Sequence, residues 1–317
     1  MAKKRILSID GGGIRGIIPL CALIELEKIT GKPTRELFDS IAGTSTGAII
    51  AGGLAKGLSA ERCLEIYQVG GPIIFRRDWI LWLTSLFSYK YRTAPMYDQL
   101  KNYLGDPTLN ELPIDVMITA TRVSDGRPWY FVRDNPANAQ TTGELKLIDC
   151  IAASAAAPTY FEPWDVQPNI GPCVDGGVGI AGNPVYQACV EAFYYTPAGT
   201  YVPEDTIIVS LGTGHYPKKH NPQNIIDWAL FVVGELMGIP SDQQTALVLR
   251  HFAQSRPYRW NPELPREIGL DDVNEIPALI AIGQKEAKLL DWPAILEGTS
   301  ERNRAMQSQR AMQRNVP

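Results

Sequence analysis

Residues 6–16 of the chain are ILSIDGGGIRG. Residues 6–9 form an apolar run of strand length, and the glycines after Asp10 predict a tight turn. Residues 17–29 then carry apolar side chains at helical spacing. A buried strand followed by a turn and a helix is the repeating unit of a sheet covered by helices. The stretch therefore predicts the first corner of an α/β domain.

A second corner of the same kind follows at GTSTG, residues 43–47. Residues 40–44 predict a strand, and residues 46–54, which are small and apolar, predict a buried helix. Gly-x-Ser-x-Gly at such a corner is typical of a nucleophile elbow, in which a sharp turn presents the serine hydroxyl. This short motif also arises by chance, so Ser45 is a candidate nucleophile only in combination with other signals.

The glycines at positions 11, 13 and 16 also match the dinucleotide-binding fingerprint, with the strand before and the helix after that it requires. Asp10 argues against this alternative, because it places a carboxylate beside the amides that would bind pyrophosphate. The acidic residue expected about twenty residues further on is also absent from the end of a second strand. The other interpretation is that residues 11–13 offer backbone amides to an oxyanion at a helix N-terminus.

Two residues compete as the base for Ser45. His215 follows the predicted strand 206–211, and the order Ser45, Asp175, His215 is that of α/β-hydrolases. Asp175 lies in VDGG, an apolar approach to a glycine turn, where burial would raise the carboxyl pKa and make it a better base. A lone Asp-Gly-Gly is also an ordinary turn. These residues alone leave both bases open.

Composition limits the class of protein. The chain has 317 residues, a net charge of -4, 45% hydrophobic and 20% charged residues, which is typical of a globular protein. It has no concentrated Lys/Arg run, which argues against binding to a nucleic acid polymer. The five cysteines lack metal-ligand spacing and are predicted to be reduced thiols in a cytosol. No stretch approaches the roughly 18 apolar residues of a membrane span, so any membrane contact would be peripheral.

Strand-like and helical segments alternate along the chain, which predicts a mostly parallel sheet covered by helices. The predicted strands cover residues 5–9, 40–43, 114–121, 129–132 and 206–211. The clearest predicted helices cover residues 17–30, 45–56, 60–68, 95–104, 147–156, 184–195, 225–237, 242–253 and 272–291. We expect a single domain over residues 1–297 and a polar tail over 298–317, either a frayed helix or disordered.

Two dense apolar runs bear on contact with lipid. Residues 79–87, WILWLTSLF, lie between the pair Arg76-Arg77 and the basic aromatic segment 89–92, and Trp and Tyr beside cations suit a membrane interface. A core helix or a helix in an oligomer interface explains the run equally well. Residues 228–237 are ambiguous in the same way, and either run would suit an acyl-chain groove.

Taken together, four blocks resemble the patatin-like phospholipase family in their order and spacing. They are DGGGIRG at 10–16, GTSTG at 43–47, ASAAAPTYF at 153–161 and DGG at 175–177, and SLGTG at 210–214 extends the likeness. The resemblance implies a three-layer α/β/α fold with a mostly parallel central sheet and a serine nucleophile elbow. It also implies hydrolysis of fatty-acyl esters of membrane phospholipids through an acyl-enzyme.

The resemblance further implies a Ser-Asp dyad instead of a triad, which makes His215 a bystander. The residues it assigns are the nucleophile Ser45, the base Asp175, the oxyanion-hole amides of Gly11, Gly12 and Gly13, and the supporting residues Arg15, Gly43, Gly47, Gly176 and Gly177. Arg15 either supports the glycine loop or meets a lipid phosphate. The family is calcium-independent, so no metal and no other cofactor is expected.

The start of the chain is also similar to bacterial patatin-like effectors of anti-phage defence, which cyclic nucleotides switch on to degrade membrane phospholipid. This implies a phospholipid substrate, a cyclic oligonucleotide activator and a cytoplasmic protein at the inner face of the membrane. A homo-oligomer is a further expectation. The alternatives are an unregulated lysophospholipase or an acylglycerol lipase. No nucleotide site can be read from the residues.

Overall fold

The computed structural model describes residues 3–76, 89–138, 142–167, 169–179, 182–216, 243–252 and 254–300. Its centre is an eight-stranded mixed sheet with the order β5-β6-β3-β2-β1-β7-β8, and β4 pairs with β3. The strands are β1 (Lys4–Ile9), β2 (Ser40–Thr44), β3 (Asp115–Arg122), β4 (Pro128–Val132), β5 (Trp164–Asp165), β6 (Pro172–Asp175), β7 (Thr206–Leu211) and β8 (Arg256–Trp260). The strands β3, β2, β1, β7 and β8 are neighbours in this order and are parallel to one another. The strands β4, β5 and β6 pair antiparallel with their neighbours.

Helices connect most of these strands. They cover Ile17–Thr30, Thr34–Leu37, Thr46–Lys56, Ala60–Glu65, Gly71–Ile74, Thr93–Leu104, Leu147–Ala155, Val185–Tyr194, residues 243–251, Ile276–Ala287 and Trp292–Glu297. A π-helical turn spans Ile66–Gly70, and short 3-10 turns span Gly13–Gly16, Gly176–Val178, Pro203–Asp205 and Val273–Glu275.

Both faces of the sheet are covered. Along β1, Leu7 and Ile9 join the larger core cluster with the helix Ile17–Thr30, whereas Ile6 joins a second cluster with Val185 on the opposite side. Because successive strand residues point to opposite faces, this alternation requires a packed layer on each side. The three-layer α/β/α fold and the mostly parallel sheet are confirmed.

The predicted strands and helices within the described residues are present, with ends that move by a few positions at most. Three strands were not predicted: β5 and β6, which are short, and β8, in which Pro257 and two arginines hide the strand pattern. In the described part of the chain, no helix is long and apolar enough to cross a membrane. All five cysteines are buried and unpaired.

Several predicted segments lie outside the described residues. They are the apolar runs 79–87 and 228–237, the helix 225–237, the basic residue Arg77, and residues 301–317 of the predicted tail.

Candidate active site

Ser45 lies at the turn between β2 and the helix Thr46–Lys56, and it is buried with a φ of 57°. A non-glycine residue in this left-handed region stores of order 1–3 kcal/mol of strain. Two glycines make the turn possible, since a Cβ at Gly43 would lie 2.1 Å from the Gly47 carbonyl oxygen. One at Gly47 would lie 2.2 Å from the Ile9 carbonyl oxygen. This is the strand-turn-helix geometry of a nucleophile elbow.

Strand β6 brings Asp175 to the end of β2. Thr44 of β2 pairs with Thr119 of β3, and Asp175 of β6 pairs with the next β3 residue, Ala120. The other edge of β3 at these positions is occupied by β4. Strands β2 and β6 therefore meet end to end along one edge of β3, and Ser45 and Asp175 lie where they meet.

The Asp175 carboxyl is fully buried. Its Oδ1 accepts a hydrogen bond from the Gly177 amide at 2.8 Å, whereas Oδ2 has no hydrogen-bond partner among the residues that the structure describes. Burial raises the pKa of Asp175 to about 6, although the nearby Ser45 hydroxyl and the Gly177 amide lower it. The Ser45 hydroxyl thus lies near enough to influence the carboxyl but does not satisfy Oδ2 with a hydrogen bond. Oδ2 is available to accept a proton.

One helix end fixes both residues. The Ser154 hydroxyl, on the helix Leu147–Ala155, accepts a hydrogen bond from the Ser45 amide at 2.8 Å. Two residues further on, the Ala156 carbonyl accepts one from the Asp175 amide at 3.0 Å. The sequence analysis noted this segment only as part of a resemblance and gave Ser154 no role. A buried serine in an alanine-rich helix end was the available signal.

We expect Ser154→Ala to lower kcat about 10- to 100-fold with little change in KM. The change leaves the buried Ser45 N–H without an acceptor, at a cost of about 1–3 kcal/mol, and releases the strained turn. The measurement is steady-state hydrolysis of a soluble ester. The control is Ser255→Ala, which removes another fully buried hydroxyl, one that donates to the Phe252 carbonyl. An equal fall of kcat in both variants would show that Ser154 is only a packing residue.

The glycine loop lies against Ser45. A Cβ at Gly11 would lie 3.2 Å from the Ser45 Cβ. The Gly11 amide, however, already donates to the Gly182 carbonyl at 2.9 Å. The amides of Gly12 and Gly13 donate to no acceptor within the described ranges. Of the three amides predicted for the oxyanion hole, those of Gly12 and Gly13 therefore have no acceptor among the described residues, whereas that of Gly11 already has one.

Residues from the second half of the chain hold this loop. Asp10, which precedes the glycines, forms a buried two-pronged ion pair with Arg259 of β8, with distances of 2.8 and 2.6 Å. The Thr213 hydroxyl donates to the Gly11 carbonyl at 2.8 Å, and the Ile14 amide donates to the Leu270 carbonyl at 2.8 Å. These contacts were not predicted from the sequence. Asp10 was the available signal, because a carboxylate at the end of a buried strand requires a partner.

Arg15 supports the loop and retains donors for a ligand. Its Nε donates to the Gly12 carbonyl at 3.3 Å, and its guanidinium lies 5.9 Å from the centre of the Tyr216 ring. Burial lowers the pKa of Arg15, against the raising effects of Tyr216 and Glu267. No ion pair of Arg15 occurs among the described residues. A desolvated guanidinium without an ion pair attracts an anion.

His215 lies on the loop after β7, as predicted. Its amide donates to the Pro262 carbonyl at 3.0 Å, its carbonyl accepts from the Leu264 amide, and its side chain is exposed. Neither carboxylate oxygen of Asp175 has His215 as a partner. Nothing in this arrangement favours a triad.

An apolar cavity of about 60 Å³ adjoins Ser45. Its walls include Ile49, Phe75, Met96, Tyr160 and Phe161. Small-molecule sites typically measure about 300–1,000 Å³, so the cavity in this conformation is too small for a fatty-acyl chain. The rings of Phe75 and Phe161 close one side, with centres 6.1 Å apart. Entry of an acyl chain requires these walls to separate.

A sequence model of the patatin-like phospholipase family matches residues 7–189, which is more than half of the chain and includes Ser45 and Asp175. The chain belongs to the patatin-like phospholipase family. The match ends before Thr213, Arg259 and Leu270. The residues of the second half of the chain that bond the glycine loop and Asp10 therefore lie outside the matched region.

Curated relatives include three phospholipases. The chain is 34% identical to a cGAMP-activated phospholipase of Escherichia coli (strain TW11681), over 67% of this chain and 62% of that protein. It is 31% identical to a cGAMP-activated phospholipase of Vibrio cholerae serotype O1, over 78% of each. It is 28% identical to the 85/88 kDa calcium-independent phospholipase A2 of Rattus norvegicus, over 90% of this chain and 39% of that protein. The chain thus spans less than two thirds of the first and third relatives.

Proposed function

We propose that this protein is a serine acyl hydrolase that cleaves fatty-acyl esters of membrane phospholipids through a Ser45-Asp175 dyad. One observation carries the proposal: β2 and β6 meet end to end, which brings a serine in a strained turn to a buried carboxyl whose Oδ2 has no partner among the described residues. With a pKa of about 6, that carboxyl is mostly ionised at neutral pH and still basic enough to accept a proton. The family to which the chain belongs supports the same chemistry.

The first half-reaction transfers the acyl group to the enzyme. Asp175 Oδ2 takes the proton of the Ser45 hydroxyl while Oγ attacks the ester carbonyl carbon and forms a tetrahedral intermediate. The intermediate collapses to the Ser45 acyl ester. The leaving alkoxide of the lysophospholipid takes the proton back from Asp175, which is again a carboxylate.

In the second half-reaction, Asp175 takes a proton from water, and the hydroxide attacks the acyl ester. Collapse of this second intermediate releases the fatty acid and returns the proton to Ser45 Oγ. In both halves, the amides of Gly12 and Gly13 stabilise the oxyanion, which is typically the largest single contribution to catalysis of this kind. Gly11 instead fixes the loop through Gly182. Arg15 receives the lipid phosphate, since its guanidinium lies beside this loop without an ion pair among the described residues.

The test is incubation of the purified chain with vesicles of one defined phospholipid, followed by identification of the products by mass. We expect one fatty acid and one lysophospholipid for each turnover. A parallel assay with lysophospholipid and with diacylglycerol separates this activity from the alternative lipases. Product formation that persists in Ser45→Ala at the wild-type rate would contradict the proposal.

The pH dependence follows from Asp175. Because the carboxylate form accepts the proton, kcat/KM is expected to be constant above pH 6 and to fall about tenfold per pH unit below it. The profile is measured again in His215→Ala, which removes the alternative base. That variant is expected to keep the activity and the same inflection. An inflection that disappears with His215 would identify the histidine as the base.

A cyclic nucleotide is proposed as the activator. Two curated relatives are named cGAMP-activated phospholipases, and the cavity beside Ser45 is too small for an acyl chain in this conformation. An activator would act by favouring a conformation in which this cavity is open. The vesicle assay with and without cyclic GMP–AMP tests this, and full turnover without the nucleotide would contradict it.

Other expectations stay predictions. They are the role in anti-phage defence, peripheral contact with the inner face of the membrane, a homo-oligomer, and the division into one domain and a polar tail. The runs 79–87 and 228–237, on which membrane contact depended, lie outside the described residues. Flotation with liposomes of a Trp79→Ser/Trp82→Ser variant measures that contact directly.

A further inference from the structure

A second, larger cavity lies at the opposite end of the sheet from Ser45. It measures about 420 Å³, is polar, and is formed where β1, β2 and β3 begin, together with residues that follow β4 and precede β7. Its volume lies within the range of about 300–1,000 Å³ that is typical of small-molecule sites. The space beside Ser45 is the smaller of the two in the same conformation.

Cations dominate its walls. The charged residues that line it are Lys3, Lys4, Arg5, Arg35 and Arg133 on the one hand and Glu36, Asp39 and Asp115 on the other. We call it the cation cavity. Its lining residues carry more positive than negative charges, although the chain as a whole has a net charge of -4. Burial raises the pKa of Asp115, against the lowering effect of Arg133. A concave cationic surface attracts anions.

Arg35 is the cation of this cavity that has no hydrogen bond or ion pair in the described part of the chain. Lys4 pairs with Asp39 at 2.7 Å, Arg133 with Asp115 at 3.3 Å, and Lys3 with Glu297 at 2.7 Å. The Nε of Arg5 donates to the Leu296 carbonyl at 3.0 Å. A guanidinium with free donors binds a phosphate through two parallel hydrogen bonds.

We propose that the cation cavity binds a phosphodiester-bearing nucleotide, with Arg35 and Lys4 as phosphate ligands. The inference rests on the proposed activation by a cyclic nucleotide and assigns a place to it. The amines and guanidinium recognise the phosphates, and the volume of the cavity accommodates an attached nucleoside.

The position of the cavity links it to the catalytic residues. Strand β1 begins at Lys4 and leads into the glycine loop, and β2 leads from the cavity to Ser45. Asp39 joins the two strand starts, since its Oδ1 binds the Lys4 amine and its Oδ2 accepts the Arg5 amide at 2.9 Å. Arg35 lies against Gly57, where an added Cβ would come 2.4 Å from its guanidinium, and Gly57 ends the helix that begins after Ser45. A phosphate that engages Lys4 and Arg35 therefore acts on both strands and on that helix.

The test is calorimetric titration of the 317-residue chain with cyclic GMP–AMP, with inorganic phosphate and an equimolar mixture of AMP and GMP as separate ligands. Arg35→Gln and Lys4→Gln are each expected to weaken cyclic GMP–AMP binding at least tenfold, with circular dichroism confirming the fold. Arg127→Gln is the matched control, because Arg127 is 79% exposed on the turn between β3 and β4 and does not line the cavity. Wild-type affinity in both cavity variants would overturn the proposal. Equally tight binding of inorganic phosphate would also overturn it, because the site would then recognise only an anion.

Two further measurements separate this inference from the proposed enzyme. Ser45→Ala is expected to bind cyclic GMP–AMP with wild-type affinity while releasing no fatty acid. A chain that hydrolyses phospholipid but does not bind the nucleotide overturns the site and leaves the hydrolase standing. A chain that binds the nucleotide through Arg35 but never releases fatty acid supports the site and overturns the hydrolase.

Discussion

Asp175→Asn is expected to lower phospholipid hydrolysis by about 10⁴-fold, close to the loss caused by Ser45→Ala, because the two residues act as one unit. The amide has nearly the same shape and keeps an oxygen for the Gly177 amide, but it cannot accept the proton of the Ser45 hydroxyl. The replacement stays in the same buried position with one oxygen on the Gly177 amide, but it supplies no base. The measurement is the rate of fatty-acid release from vesicles of one phospholipid.

Two controls make this result specific. The double variant Ser45→Ala/Asp175→Asn is expected to be no slower than either single variant. His215→Ala is expected to stay within about threefold of the wild type, since its exposed side chain contacts neither dyad residue. The assignment of the base would be wrong if Asp175→Asn kept its activity and a folded His215→Ala protein lost it.

Arg259→Gln is expected to destabilise the protein by about 3–5 kcal/mol and to lower kcat about 10²-fold or more. Removal of the guanidinium leaves the Asp10 carboxylate buried without its cation, which accounts for the stability loss. Asp10 lies directly before the glycine loop, so its displacement moves the amides of Gly12 and Gly13 away from the oxyanion. Urea unfolding measures the first effect, and hydrolysis of a soluble ester at a temperature where the variant is folded measures the second.

The two effects of Arg259 separate in the double variant Asp10→Asn/Arg259→Gln. Removal of both charges is expected to restore most of the stability, because no isolated charge is left buried. The low kcat is expected to persist, because the loop is still not held. A double variant with both wild-type stability and wild-type kcat would mean that the ion pair does not position the oxyanion loop.

The sequence predicts the two glycine corners because their signals are local. An apolar run, a turn of glycines and a helical period lie next to each other at residues 6–29, and again at 40–56. These signals place Ser45 and the glycine loop on neighbouring parallel strands, β2 and β1. The structure has both corners where the pattern places them.

The sequence does not predict what surrounds these corners, because the remaining contacts are long-range. Asp175 reaches Ser45 through β6, a short antiparallel strand that carries no periodic signal. Arg259 sits in a strand interrupted by proline and arginine, and its partner Asp10 is 249 positions away. The engagement of the Gly11 amide by Gly182 is equally non-local. The cation cavity gathers residues from five separate parts of the chain, none of which forms a recognisable motif.

The central claim is that Ser45 carries the acyl group and that Asp175 activates it. The most direct measurement is acid quenching of the chain during turnover of a soluble fatty-acyl ester, followed by peptide mass mapping. We expect an acyl adduct on the peptide that contains Ser45, in a yield that falls by orders of magnitude in Asp175→Asn. An adduct on another residue, or undiminished acylation of Ser45 in Asp175→Asn, would contradict it.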